Sequence, residues 1–330
     1  MKICIVGAGA IGGYLGVMLA KAGEEVTFIA RGATLDAIRR EGMKLIMDNG
    51  TEHVAPVAAT DDVAQAGPQD AVIIALKTNV LSGLAPTLRP LYGPETMVVT
   101  AQNGIPWWYF HKHGGQYDGH RLTSVDPDGV LAQTIEPERI IGAVVYPAAD
   151  RIAPNVVQHT YGNRFMLGEP DGRRTERIQK LSQSMTSAGF KAPVRPNIRQ
   201  DIWIKLWGNL AFNPVSALTR ATLEELARHP LARDLIAHLM QEGQMIGERL
   251  DIDFGISIDQ RIKWAEDVGA HKTSTLQDIE AGRETEIDSL VGVVIELGQL
   301  VGVDTPYLKS VYASVKLLEE VQIRAQQAQR

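Results

Sequence analysis

The sequence holds a single cysteine, Cys4, among 330 residues. No intrachain disulfide can form, and no cysteine-based metal site either; no metal is expected. Cys4 lies in the apolar run Ile3-Cys4-Ile5-Val6 and reads as a small core residue. Long hydrophobic runs are also lacking. The longest uncharged ones, such as residues 71–76, are far too short to span a bilayer. The chain passes from Met1-Lys2 straight into a strand pattern, with no secretory signal in view, so a cytoplasmic location is the expectation. Positive charge is not in excess either: 33 Lys and Arg stand against 39 Asp and Glu, a net charge of -6. With no basic stripe to override that balance, a nucleic-acid partner is not expected.

What is present suits a folded protein, with 45% hydrophobic and 22% charged residues. The length suits two domains. In the first half, short β-rich runs alternate with helical patterns: strands at residues 2–6 and 25–30, helices at 11–21 and 34–40. Residues 70–76 and 96–101 are continuous apolar runs, as in strands buried on both faces. Asn49-Gly50 marks a small hairpin. Further strands are expected at 140–146, 156–160 and 165–167. Beyond Pro193 and Pro196 the pattern is almost all helical, including 223–250 and 287–301. The expected fold is an α/β Rossmann-type domain with a mostly parallel sheet, residues 1–195, followed by an all-α domain, residues 196–330. The apolar helices of the second half would form either a core or the surface of a homodimer. Residues 326–330 are polar and are expected to fray.

Gly7-Ala8-Gly9-Ala10-Ile11-Gly12 fits the dinucleotide fingerprint G-x-G-x-x-G, between a strand and an amphipathic helix. Gly7 permits the tight turn, Gly9 the approach of a pyrophosphate, and Gly12 the close packing of helix on strand. The helix N-terminus adds free N–H groups and partial positive charge. An acidic residue about 20 positions on would hold the ribose of NAD; here Arg31 ends the second strand. A guanidinium there pairs with a 2′-phosphate, which favours NADPH, with Arg39 and Arg40 on the next helix able to assist. The alternative is a solvated loop cation. Lys77 and Asn103 stand at the carboxyl ends of two strands, where open parallel sheets bind ligands. Strand capping alone would also account for them.

In the stretch 201–214, Lys205, Asn209 and Asn213 are spaced i, i+4, i+8 and share one helical face among Trp203, Leu206, Trp207, Leu210 and Phe212. A cation and two amides in such surroundings need partners, and a polar substrate would supply them. Desolvation would also lower the lysine pKa towards the range useful for proton donation. The other reading is a lysine snorkelling to solvent. A second cluster comprises Ser274 to Asp278 and then Gly282 to Asp288, whose acids suit the first turn of a helix starting near Thr285.

These strings together resemble the ketopantoate reductase (2-dehydropantoate 2-reductase) family. The match rests on Gly7 to Gly12, Leu76-Lys77, Gln102-Asn103-Gly104, Lys205-Leu206 with Asn209 and Asn213-Pro214, Ser274 with Leu276-Gln277-Asp278, and Thr285-Glu286-Ile287-Asp288. The resemblance implies NADPH as hydride donor, Lys205 as general acid, and Asn103 placing nicotinamide and substrate. It implies Lys77 at the cofactor, Asn209, Asn213 and Ser274 at the substrate, and Glu286 orienting the reacting groups or the cofactor ribose. Two departures stand out. An unusually long stretch to about Ile135 follows Ile105-Pro106-Trp107-Trp108-Tyr109-Phe110; it either reshapes the pocket or packs its own aromatics as a surface subdomain. Leu223 stands where some family members carry a substrate-binding Asn. The expected activity is NADPH-dependent reduction of 2-dehydropantoate. The alternatives are reduction of another 2-oxo acid or ketone, and a non-enzymatic NADP(H) sensor.

Overall fold

Alternating aliphatic runs and glycine-rich connections give the first half of the chain its sheets, because strands covered on both faces must be apolar throughout. In the computed structural model, which describes residues 1–328, eleven strands form among those residues. They are β1 (Lys2–Val6), β2 (Glu25–Ile29), β3 (Met43–Ile46), β4 (Glu52–Ala55), β5 (Ala58–Thr60) and β6 (Gln69–Ile74), then β7 (Tyr92–Thr100), β8 (Ile140–Val145), β9 (Ala148–Ala153), β10 (Val156–Tyr161) and β11 (Phe165–Gly168). Two compact units divide the chain. The first comprises Met1–Gln102, Trp107–Arg121 and Asp128–Ile198. The second comprises Asn103–Pro106, Leu122–Pro127 and Arg199–Arg330. The second thus takes in two short segments from the first half.

The first unit carries a seven-stranded sheet in the order β11-β8-β7-β6-β1-β2-β5. All its pairings are parallel except β11 on β8. Strand order reverses between β1 and β6, which is where doubly wound sheets open a crevice at the carboxyl ends of the strands. A second sheet, β4-β3-β10-β9, holds the hairpin across Asn49-Gly50. Helix Ala10–Lys21 lies between the two sheets, and its glycines make that possible. A Cβ on Gly13 would sit 2.3 Å from Met43 Cε and 2.6 Å from Val157, and one on Gly16 would sit 2.2 Å from the Phe28 ring.

The aromatic run after Pro106 is buried inside the first unit. Trp108 is 2% exposed and donates from Nε1 to Thr100 Oγ1 at 2.9 Å. Phe110 packs against Tyr109, His113, Tyr117 and His120. These rings therefore pack into the core of the first unit and do not form a surface subdomain of their own.

The second unit is helical: Ile198–Thr219, which enters it at Arg199, then Leu223–Arg228, Pro230–Arg249, Ile258–Val268, Ser274–Glu280, Val293–Val301 and Pro306–Ala328. The stretch expected as one helix over 223–250 is two. Pro230 cannot continue the preceding helix and instead opens the next, capped by His229 Nδ1 accepting from the Ala232 N–H at 3.3 Å. A π turn, Asp288–Gly292, precedes Val293–Val301, and helical backbone begins at Ile287 rather than Thr285. The last helix runs through Ala328; of the 326–330 stretch expected to fray, residues 329 and 330 lie outside the described residues. No helix of the described residues is long and apolar enough to cross a membrane.

Trp203 and Trp207 anchor the helical core. Trp207 is fully buried, packs at a tilt on Phe254 with ring centroids 4.5 Å apart, and donates from Nε1 to the Met240 carbonyl at 2.8 Å. Trp207→Ala is expected to cost about 3–5 kcal/mol, read as a lowered urea midpoint by circular dichroism.

Candidate functional site

In the first unit, the fingerprint glycines divide into two kinds. Gly7 has φ +107, and a Cβ there would meet Leu76 Cδ2 at 2.7 Å. A Cβ on Gly12 would lie 2.0 Å from the Gly7 carbonyl oxygen. Both are demanded by the protein's own packing. Gly9 is different: a Cβ there would point into open space beside the first turn of helix Ala10–Lys21. No side chain caps that turn. Bare backbone, free N–H groups and positive dipole together fit a dinucleotide pyrophosphate.

Arg31 is exposed and forms the N-cap of helix Gly32–Glu41 directly after β2. Arg39 and Arg40 are engaged elsewhere: Arg39 donates to the Ala59 carbonyl at 3.1 Å, and Arg40 pairs with Glu41. Lys77 is half-buried just past β6 and opens helix Thr78–Leu84. Gln102, which drew no role of its own from the sequence, donates from Nε2 to the Leu76 carbonyl at 3.1 Å and to Thr78 Oγ1 at 3.3 Å. It fixes the loop that carries Lys77. The one hint of this was its place in Gln102-Asn103-Gly104.

In the second unit, three predicted residues from distant parts of the chain meet. Lys205 Nζ donates to Asn103 Oδ1 at 2.5 Å. The other end of that amide, Nδ2, donates to Glu286 Oε2 at 3.3 Å. Asn103 thus reads a cation with its oxygen and a carboxylate with its nitrogen, the orientation that electrostatics favours. Burial lowers the Lys205 pKa from 10.5 to about 8, against the opposing pull of the Glu286 charge. Over the whole residue Lys205 is half-buried.

Asn209 and Asn213 continue the Lys205 face of helix Ile198–Thr219; Asn209 is half-buried and Asn213 is 4% exposed. Ser274 is exposed at the first position of helix Ser274–Glu280, capped by Thr273. Among the described residues no hydrogen bond joins Ser274 to Lys205, Asn103 or Glu286. Leu223 is half-buried at the start of helix Leu223–Arg228.

The backbone that presents Asn103 is held by a feature invisible in the sequence. Gly104 has φ +84, and a Cβ on it would lie 2.0 Å from the Ser289 carbonyl oxygen. That carbonyl, inside the π turn, accepts the Ile105 N–H at 3.1 Å. Glu286 lies three residues before Ser289, so one turn of backbone brings both partners of Lys205 together.

The chain matches the family model described as "Ketopantoate reductase PanE/ApbA" over residues 3–172, and its C-terminal counterpart over 197–319. It is 52% identical over 319 residues to a 2-dehydropantoate 2-reductase of Mesorhizobium japonicum, covering 96% of this chain and 98% of that one. A crystal structure from Ralstonia solanacearum MolK2, provisionally named a ketopantoate reductase, superposes with a TM-score of 0.93 at 41% identity, covering 97% of this chain and 98% of that one. A PanE/ApbA family ketopantoate reductase from Ralstonia eutropha JMP134 gives a TM-score of 0.84 at 26% identity, covering 98% and 99%.

Glu286→Gln removes the charge that supports the Lys205 ammonium and leaves its desolvation in place. The Lys205 titration midpoint is expected to fall below about 8, measured by NMR of 13Cε-labelled lysine with Lys205→Arg assigning the signal.

Proposed function

Because this chain belongs to the ketopantoate reductase family, and so to the oxidoreductases acting on CH–OH groups, we propose that it reduces 2-dehydropantoate to pantoate with NADPH, Lys205 being the proton donor. The observation that carries this reading is the Lys205 ammonium, desolvated to a pKa of about 8 and hydrogen-bonded to Asn103 beside Glu286. An amine in that range is still largely protonated at neutral pH, yet gives up its proton far more readily than a solvated lysine.

The nicotinamide, when bound, supplies a hydride to C2 of the ketone. As the C2–O π bond breaks, its electron pair moves to oxygen. The Lys205 Nζ–H donates a proton to that oxygen, forming the alcohol and leaving a neutral amine, which solvent reprotonates. A cation aimed at the developing alkoxide stabilises the transition state more than the ground-state ketone. Asn103 accepts from the ammonium and fixes the direction of its remaining N–H bonds. Glu286 holds the Asn103 amide and, through its charge, keeps the amine protonated between turnovers. Asn209, Asn213 and Ser274 bind the hydroxyl and carboxylate ends of the substrate.

On the cofactor side, Gly7, Ala8, Gly9, Ala10, Ile11 and Gly12 would hold the pyrophosphate, Lys77 would contact the cofactor, and Arg31 would pair with the 2′-phosphate. Asn103, also expected at the cofactor, belongs to the second unit with Lys205. In functional terms residues 1–195 serve the cofactor and 196–330 the substrate, with Asn103 the exception.

Lys205→Ala is expected to lower kcat by about 10²–10⁴-fold, with 2-dehydropantoate the best of a panel of 2-oxo acids in an NADPH-consumption assay. Unchanged turnover in that variant would remove Lys205 as the acid, and a better substrate elsewhere in the panel would change the substrate assigned. Arg31→Ala is expected to weaken the NADPH-over-NADH preference in kcat/KM by about 10- to 100-fold, the value of a charge-assisted contact of roughly 1.5–3 kcal/mol.

A further inference from the structure

The last helix, Pro306–Ala328, carries a polar stripe: Tyr312, Lys316, Glu319, Gln322 and Gln326 recur every three or four residues and so share one face. Each of them binds the stretch 279–288. Gln322 Nε2 donates to the Ile279 carbonyl at 2.5 Å, and Gln326 Nε2 to the Gly282 carbonyl at 3.0 Å. The Glu319 carboxylate accepts from both the N–H and the hydroxyl of Thr285, at 2.7 and 2.6 Å. Tyr312 donates its hydroxyl to Asp288 Oδ1 at 2.5 Å, and Lys316 Nζ reaches Asp288 Oδ2 at 3.2 Å.

Glu286 is bracketed by these contacts, one residue beyond Thr285 and two before Asp288. The Glu319 side chain is only 11% exposed, and Thr285 is buried. Between Thr285 and Asp288 the chain leaves irregular backbone and enters the π turn. The Glu286 carbonyl joins that turn by accepting the Leu290 N–H at 3.1 Å, while the backbone before it, residues 283–286, is irregular. The last helix holds the residues on either side of Glu286, Thr285 and Asp288.

We propose that Glu319, supported by Tyr312 and Lys316, is a positioning residue of the reaction: the stripe on the last helix fixes the backbone around Glu286 and thereby the Lys205–Asn103–Glu286 cluster. This rests on the reading of Lys205 as proton donor given above. The chain of contacts is continuous. Glu319 grips Thr285, Glu286 follows and holds the Asn103 amide, and Asn103 accepts from Lys205. On the far side of Glu286, the π turn that Tyr312 packs against at Gly292 presents the Ser289 carbonyl to Ile105, two residues from Asn103. Both partners of the ammonium are therefore located from one helix, although neither lies on it. Glu286 is the charged group whose field acts on Lys205, and Asn103 faces it as a neutral amide.

The test uses the full chain with Glu319→Ala, Glu319→Gln and Tyr312→Phe. Two readouts are taken: the Lys205 titration midpoint by 13Cε-lysine NMR, and kcat and KM with NADPH and 2-dehydropantoate. In Glu319→Ala, Glu286 is released, the Lys205 midpoint falls, and kcat drops on the order of 10- to 100-fold with the KM for NADPH unchanged. Glu319→Gln keeps an acceptor oxygen for Thr285 and restores most of both. Tyr312→Phe keeps the ring and loses the Asp288 bond, so it moves both readouts in the same direction by less, and it carries the test if Glu319→Ala does not fold. A folded Glu319→Ala or Tyr312→Phe protein whose Lys205 titrates as in the wild type overturns the proposal, whatever its rate. Absence of wild-type turnover with 2-dehydropantoate would instead count against the proposed function, and the titration would still decide the positioning role.

Discussion

A desolvated ammonium is the constraint around which the second unit is built. Removing Lys205 from water penalises its charged form, and that penalty is tolerable only if hydrogen bonds and an opposite charge replace part of the lost hydration. Asn103 and Glu286 provide both, yet neither is a sequence neighbour of the lysine. The protein must therefore bring segments around residues 103, 205 and 286 to one point. The transfer of residues 103–106 into the helical unit, the glycine at 104 that tolerates contact with the Ser289 carbonyl, and the π turn that offers this carbonyl all serve that end. The compensation is partial, since the pKa remains below that of a free lysine, and an amine left in that condition is a usable acid.

The first unit solves a different problem with glycine. Its central helix is squeezed between two sheets, and residues 12, 13 and 16 have no room for a Cβ. Gly9 alone of the fingerprint glycines is spared by packing and left open. Structural demand and ligand demand are thus separable within a single hexapeptide, and the reversal of strand order between β1 and β6 puts that hexapeptide at the edge where such sheets bind ligands.

Much of this was legible in the sequence where one local rule dominated. The buried parallel strands announced themselves as unbroken apolar runs, the Asn49-Gly50 hairpin by its turn chemistry, and the Lys205 face by its spacing of four. Other features escaped for physical reasons. β5 is three residues long, and β9, Ala-Ala-Asp-Arg-Ile-Ala, is an edge strand with no fully buried face, so neither has an apolar pattern to read. The break at His229-Pro230 was masked by apolar spacing that continues across it, although the proline itself was the signal. The π turn has no sequence signature, being held by the Ser289–Ile105 bond and by Tyr312 packed on Gly292. The polar stripe of the last helix reads as an ordinary solvated face until the segment it grips is known.

The central claim is that a lysine of lowered pKa delivers the proton. Its most direct test is the pH dependence of kcat in the reducing direction, with both substrates saturating. The group must be protonated to act, so kcat is predicted to be level in the neutral range and to fall as pH rises through about 8. A kcat that stays level well above that pH would contradict the account.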